Sequence, residues 1–300
     1  MKKLAIKTSV LVAVVVILAA ATVFCAVFGI CMAVNRARDD ANDTAKTPED
    51  NLGGEGDGSG DGSGDGSGDG SGDGSEEGGE EGSEEDKPKK YVAFTFDDGP
   101  AYHGGLTKKF VNELAKYGGE ATFFLIGDRV NSSTAKNLTY AVEHGWELGI
   151  HAYTHKYSFG SGCSDDLYNS EMQKTADAIH KYLPDYEIKL FRPPYGDLPA
   201  DRTKESPYAV ILWSVDPRDW EYSDDSTAEK RDENVQNIVF EVLSNVQDGS
   251  IVLMHEIYNN SYLAFCEILK ELDKQGYEFV TVSELLGDKF ETGKKFYNGK

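Results

Sequence analysis

The sequence predicts a parallel α/β domain over about the last 210 residues, either a doubly wound sheet or a barrel with one unit missing. Three observations predict it. From Lys87 onward, short β-rich apolar runs alternate with longer stretches of helical periodicity, the pattern of β/α units. Seven such runs suit one domain of this length. Five of them end in polar residues able to do chemistry, and in parallel α/β folds the carboxyl ends of the strands are where chemistry sits.

The chain before that domain reads differently. Lys2, Lys3 and Lys7 precede an apolar segment from about Ser9 to Val34, long enough to cross a hydrocarbon core of about 30 Å. A secretory signal peptide would have a shorter apolar region, so residues 1–38 are expected to be a cytoplasmic stub and an uncleaved transmembrane signal anchor. The rest of the chain is then expected outside a cell membrane that the chain crosses once. Residues 39–88 are an acidic Gly/Ser/Asp/Glu linker, with Gly-Asp-Gly-Ser repeated through its centre. It has almost nothing apolar to bury and is expected to be disordered. Its acidic residues recur every fourth position, whereas a calcium loop needs them every second.

The formal net charge of -22 is uneven. Residues 1–38 carry five basic and no acidic side chains, residues 39–86 eighteen acidic and one basic, which leaves -10 for the remainder. No basic footprint for nucleic acid is present, so none is expected as a partner. Cys25 and Cys31 fall in the apolar segment, while Cys163 and Cys266 stand far apart in the domain. That spacing makes neither a disulfide framework nor a zinc ribbon.

In the domain, expected strands cover residues 91–96, 121–126, 147–151, 188–192, 209–215, 250–255 and 277–282. Amphipathic stretches at 106–117, 133–144, 165–183, 229–246 and 262–275 lie between most of them. The first run ends in Asp97-Asp98-Gly99-Pro100. The third ends in His151, with His155 four residues on. The fourth ends in Arg192-Pro193-Pro194-Tyr195, the fifth runs into Asp216-Pro217-Arg218-Asp219-Trp220, and the sixth ends in Leu253-Met254-His255. His103, His144 and His180 are read as a loop residue and two helix C-terminal residues.

Two imidazoles at i and i+4 converge if the chain turns helically after the strand. Joined by one carboxylate of the Asp97-Asp98 pair, they make a two-His, one-carboxylate set with an open position, suited to zinc and to other divalent transition metals. Such a metal lowers the pKa of bound water toward about 7 and polarises a carbonyl. Hydrolysis then needs a base, for which the other carboxylate of the pair is suited, and an acid, for which His255 is suited. Arg192 suits a role beside the base, and Asp219 beside His255. Trp220 is read as the wall of a small apolar pocket or as ordinary core.

In order, residues 95–100, 151–155, 192–195, 216–220 and 253–255 resemble the five motifs of the polysaccharide deacetylases (NodB-type, carbohydrate esterase family 4). The resemblance covers about residues 90–287. Residues 248–258 and 277–286 look like the peptidoglycan N-acetylglucosamine deacetylase branch. The resemblance implies a distorted (β/α)7-type barrel as a single catalytic domain over residues 89–300, which removes acetate from an N-acetylated sugar with one divalent metal ion. Zinc is the first expectation, with cobalt, nickel or manganese as alternatives. Asp97 would then be the base and Asp98, His151 and His155 the metal ligands. Arg192 would tune Asp97, and Asp219 would pair with His255, the acid. The Tyr195 N–H would hold the oxyanion, and Leu253 and Trp220 would line the pocket for the acetate methyl. The implied partner is cell-wall polysaccharide, with no obligate protein partner. Other glycans (muramic acid residues, chitooligosaccharide, exopolysaccharide, acetylxylan) and an inactive glycan-binding protein are the alternative readings. Two positions depart from the family pattern. Ala152 stands where a hydroxyl residue follows the first His, and Ile150 where a polar residue often precedes it.

Overall fold

The computed structural model describes residues 88–102 and 105–300. The expected anchor at 1–38, the linker through residue 87 and His103 lie outside the described residues. Among the described residues no helix is long and apolar enough to cross a membrane.

Among the described residues eight strands form one sheet: β1 Lys90–Gly99, β2 Thr122–Leu125, β3 Glu147–Ile150, β4 Leu190–Phe191, β5 Ala209–Ile211, β6 Ser250–His255, β7 Tyr277–Phe279 and β8 Lys295–Phe296. The order is β6-β1-β2-β3-β4-β5-β8, with β7 against the start of β1. Every pairing between these strands is parallel. The sheet curls toward a barrel because its two ends meet through short contacts. Val215 bridges Val252 of β6, and Asn298, just beyond β8, bridges Ser250. The α/β expectation holds, in the barrel rather than the doubly wound form.

Main helices lie between the strands: α1 Leu106–Ala115, α2 Ala135–Glu143, α3 Asp165–His180, α4 Ala200–Glu205, α5 Ala228–Asn245, α6 Asn259–Lys274 and α7 Val282–Leu286. Five of them match the amphipathic stretches read from sequence. β1 runs on to Gly99, past its expected end at 96, and the expected strand at 188–192 pairs only at Leu190–Phe191. Two further differences have a local cause. The run at 209–215 is a strand only to Ile211, because the chain then changes partner. Leu212 N–H still donates to Phe296 O of β8 at 2.8 Å, whereas Ser214 and Val215 N–H donate to Ile251 O of β6. The run at 277–282 stops early because Thr281 and Glu284 form a capping box that starts α7.

β1 is buried from Val92 to Asp97, as a strand covered on both faces must be. Successive residues point to opposite faces. Val92, Phe94 and Phe96 therefore join the layer between sheet and helices, with Phe110, Phe265 and Leu269. Ala93 faces the other side with Phe124, Leu190, Ile211 and Ile251. Thr95 and Asp97 share that inner side by the same alternation. Phe96 is fully buried and its ring centroid lies 4.7 Å from Phe110 and 5.2 Å from Phe265. Phe96→Ala is expected to destabilise the fold by about 3–5 kcal/mol, read as a lower denaturation midpoint at unchanged slope.

Cys163 and Cys266 are free thiols. His144 ends α2 with Nδ1 donating to Tyr140 O at 2.8 Å, and His180 closes α3 with Nε2 donating to Tyr186 O at 3.0 Å, as helix-terminal residues.

Candidate active site

The site is built on the carboxyl ends of β1, β3, β4, β5 and β6. It begins with Arg192, which follows β4 and is fully buried. A buried guanidinium needs its donors satisfied. Nε donates to Ile211 O at 3.0 Å and Nη2 to Leu212 O at 2.9 Å, while Nη1 reaches across the interior to Thr95 Oγ1 and Asp97 Oδ1, both at 2.8 Å. Cζ sits 4.3 Å from the Phe124 ring centroid. Arg192 thus fixes the carboxylate of Asp97 to the scaffold. Burial alone would raise the Asp97 carboxyl, but Arg192, His151 and His255 outweigh it and hold Asp97 below the usual carboxylate range.

Asp98 points elsewhere. Its Oδ1 is buried and has no hydrogen-bond partner. His151 Nε2 lies 3.6 Å and His155 Nε2 3.7 Å from that oxygen. These distances are too long for hydrogen bonds. They suit three ligands around one ion, since bonds of about 2.0–2.1 Å in a tetrahedron separate ligands by about 3.3–3.5 Å. The three ligand atoms lie within 4.8 Å of one another. His151 Nδ1 donates to Arg192 O at 2.8 Å, which leaves Nε2 facing Asp98 and, at 3.5 Å, Asp97 Oδ2. Burial, then the neighbouring His151 ring, lower the pKa of His155 and favour the neutral imidazole that ligation requires. The residues present therefore fit a divalent ion.

Across the site, His255 ends β6 beside Asp97 in the strand register. Asp219 is fully buried. Its Oδ1 accepts from His255 Nδ1 at 2.7 Å, and its Oδ2 accepts from His255 N–H at 2.8 Å and from the Ser261 hydroxyl. Burial disfavours the imidazolium, but Asp219 and, less strongly, Asp97 and Asp98 push its pKa up to about 9. His255 is thus held protonated at neutral pH, across from Asp97, whose carboxylate is held ionised.

Among the described residues, five other than glycine have positive φ: Asp98, Ala152, His155, Tyr195 and Arg218. Asp98 sits at the carboxyl end of β1, and the others lie in the turns after β3, β4 and β5. Such conformations cost about 1–3 kcal/mol each and persist only where the surroundings over-determine them. Gly99 is required by close approach. A Cβ there would stand 1.7 Å from Oε1 of Glu256, which is fully buried directly after His255.

Seven expected residues (Asp97, Asp98, His151, His155, Arg192, Asp219, His255) form one cluster. Tyr195 joins it, its Oη donating to His155 O at 3.2 Å. Leu253 is buried on β6 opposite Thr95, and Trp220 follows Asp219 with 47% of its surface exposed, so it is no core residue. Sequence reasoning missed Thr95, whose hydroxyl links Arg192 to Val252 O, and Arg129, which donates to Asp98 O. It also missed Glu171, which α3 turns inward. A polar recess of about 340 Å³ opens beside the cluster, lined by Asp98, Tyr102, Asp128, Arg129, Thr154 and His155 among others.

Fold and site together define an α/β enzyme whose polar cluster crowns the carboxyl rim of a parallel barrel. The polysaccharide deacetylase family model matches residues 84–209. The peptidoglycan-N-acetylmuramic acid deacetylase PdaC of Bacillus subtilis is 36% identical over 200 residues, 67% of this chain and 39% of PdaC. A peptidoglycan-N-acetylglucosamine deacetylase of Bacillus cereus is 37% identical over 206 residues, 66% of this chain and 89% of that protein. The structure of a family 4 acetyl xylan esterase from Clostridium thermocellum, in complex with a cobalt ion, superposes with a TM-score of 0.60 at 28% identity, covering 70% of this chain and 98% of that one. The chain belongs to the polysaccharide deacetylase family. It spans about two fifths of the length of PdaC.

Proposed function

We propose that this chain removes N-acetyl groups from cell-wall glycan, first of all from N-acetylglucosamine of peptidoglycan, and releases acetate. The observation that carries the reading is the pairing of an ionised carboxylate, Asp97 held by Arg192, with a protonated imidazole, His255 held by Asp219, beside an orphaned carboxylate oxygen that faces two imidazoles. Asp98, His151 and His155 would hold a divalent ion, zinc first among them. When bound, that ion supplies Lewis-acid polarisation of the acetamide carbonyl and an activated water. Asp97 takes the proton of the attacking water. His255 gives its proton to the sugar amine as the carbon–nitrogen bond breaks. The Tyr195 N–H stabilises the negative oxygen of the tetrahedral state, and Leu253 and Trp220 flank the acetyl methyl.

The B. cereus relative, covered over most of its length, supports the glucosamine substrate. The apolar segment and acidic linker of the sequence support a domain tethered outside the cell membrane, where the cell's own wall is in reach. The test is acetate release by the purified full-length chain, with divalent metal, from peptidoglycan, chitooligosaccharide and acetylxylan. Peptidoglycan is expected to be the best substrate, with free glucosamine as product. A chain that binds these glycans and releases acetate from none defeats the reading. Free muramic amines or xylan deacetylation would reassign the substrate.

A further inference from the structure

We propose that Glu171, on α3, is a positioning residue for the metal centre: its carboxylate pins the turn between His151 and His155 and so sets the affinity for the ion. The proposal rests on the reading of Asp98, His151 and His155 as the metal-holding residues.

Glu171 is 5% exposed and lies on the apolar stripe of α3 with Tyr168, Met172, Thr175, Ala176 and Ile179. A carboxylate in such a place is costly unless it is fully engaged. The polar partners of its side chain all lie in one turn. Oε2 accepts from Tyr153 N–H at 3.0 Å, from Thr154 N–H at 2.8 Å and from Thr154 Oγ1 at 3.1 Å. Hydrogen bonds to a charged acceptor are roughly twice as strong as neutral ones, and here three converge on a single oxygen.

The other side of the turn is held as well. Gly127 N–H donates to Ala152 O at 3.0 Å and Asp128 N–H to Tyr153 O at 2.9 Å. The donors of the turn thus go to Glu171 and its carbonyls to the 127–128 segment. There is no slack between these parts. A Cβ on Gly127 would stand 2.7 Å from Tyr153 Cδ2 and 2.8 Å from Thr175 Cα of α3.

The turn needs this support. Ala152 and His155, which frame it, have φ of 66° and 56°. Left to itself a non-glycine residue leaves that region, and the two imidazoles would then separate. Ala152 supplies no polar brace. Its methyl is buried in the apolar cluster with Phe159, Tyr168 and Met172. The hydroxyl that the family pattern puts at this position is missing, and the brace comes from a carboxylate on the neighbouring helix and from Thr154.

The test uses the full-length chain. Zinc affinity is measured by competition with a chelating indicator. Ligand geometry is read from the visible spectrum of the cobalt-substituted protein, and folding from thermal melting of the metal-free protein. Glu171→Ala is expected to weaken zinc binding about 10–100-fold and to alter the cobalt spectrum. At saturating metal, KM for glycan should stay unchanged. Glu171→Gln keeps an acceptor oxygen at the same reach and should recover most of the affinity. Glu171→Asp keeps the charge, withdraws the oxygen from the turn and should fall between, and it decides the matter if the alanine variant does not fold. Folded Asp and Ala variants with wild-type zinc affinity and an unaltered cobalt spectrum overturn the proposal, as does a wild-type chain that binds no divalent ion. A wild-type chain that binds zinc yet deacetylates nothing defeats the deacetylase reading and leaves this one standing.

Discussion

Asp97→Asn is expected to lower kcat for acetate release by about 10²–10⁴-fold, the span that a positioned general base contributes, with KM and metal content close to wild type. The substitution is nearly isosteric. The amide oxygen still accepts from Arg192 Nη1, which stands 2.8 Å from Oδ1, so the buried guanidinium keeps its partner. Asp98, His151 and His155 are untouched, and the variant should bind metal with one ion per chain. What is lost is the ability to accept a proton. The pH profile gives a second check. Arg192, His151 and His255 together hold the Asp97 carboxyl below its ordinary value despite its burial. Its stabilising contribution to the native state is therefore present above the ordinary carboxylate pKa and is lost as pH falls through the lower folded value. The acid limb of kcat/KM should lie below the usual carboxylate range in the wild type. Turnover by the asparagine variant above a tenth of wild type, at full metal loading, would mean that another group takes the proton.

The site was legible in the sequence because its residues end apolar runs. Asp97, His151, Arg192 and His255 each follow residues that are fully buried in the strand before them. Strand direction then brings them to one rim without any knowledge of contacts. What supports these residues was harder to read. Arg192 is held by the carbonyls of Ile211, at the end of β5, and of Leu212, just past it, which carry no signal in their side chains. Glu171 reads as one more acid on an amphipathic helix until α3 is seen to turn it inward. Thr95 looks like a β-branched strand residue and is also a hydroxyl relay between Arg192 and β6.

The fold shows the same division. Long apolar runs gave β6 to the residue and the start of β1 to within one, whereas β1 continues past its expected end at 96 through Asp97 and Asp98 to Gly99. β8 has two residues and α4 has six, too few to show a period. Both take their place from the tertiary structure, as when β8 pairs with Val210 and Ile211 near the seam of the barrel. The helix α7 is a different case. The β-branched run Val280-Thr281-Val282 suggests a strand, but Thr281 and Glu284 are spaced as a capping box. That local signal outweighs the propensity.

Asp219→Asn is expected to move the alkaline limb of kcat/KM to lower pH by about 1–3 pH units, the range of effect of one opposite charge at hydrogen-bond distance. His255 owes its elevated pKa, about 9, first to Asp219, which overcomes the opposing effect of burial. An asparagine there keeps an oxygen for Nδ1–H but not the charge. The bound ion acts on wild type and variant alike, so the difference between the two profiles reports Asp219 alone. The loss of rate should then depend on pH, small near pH 5, where His255 is protonated in either protein, and greatest toward pH 9. Stability follows the same sign. A histidine whose folded pKa is raised contributes its full stabilisation below its unfolded pKa of about 6.5 and loses it as pH rises through about 9. The wild type should therefore exceed the variant in melting temperature most clearly in acid, and the gap should narrow with alkali. A variant with a uniform loss of rate at every pH, and with the alkaline limb unmoved, would show that Asp219 orients His255 without keeping it charged. His255 would then owe its charge to Asp97 and Asp98 rather than to Asp219.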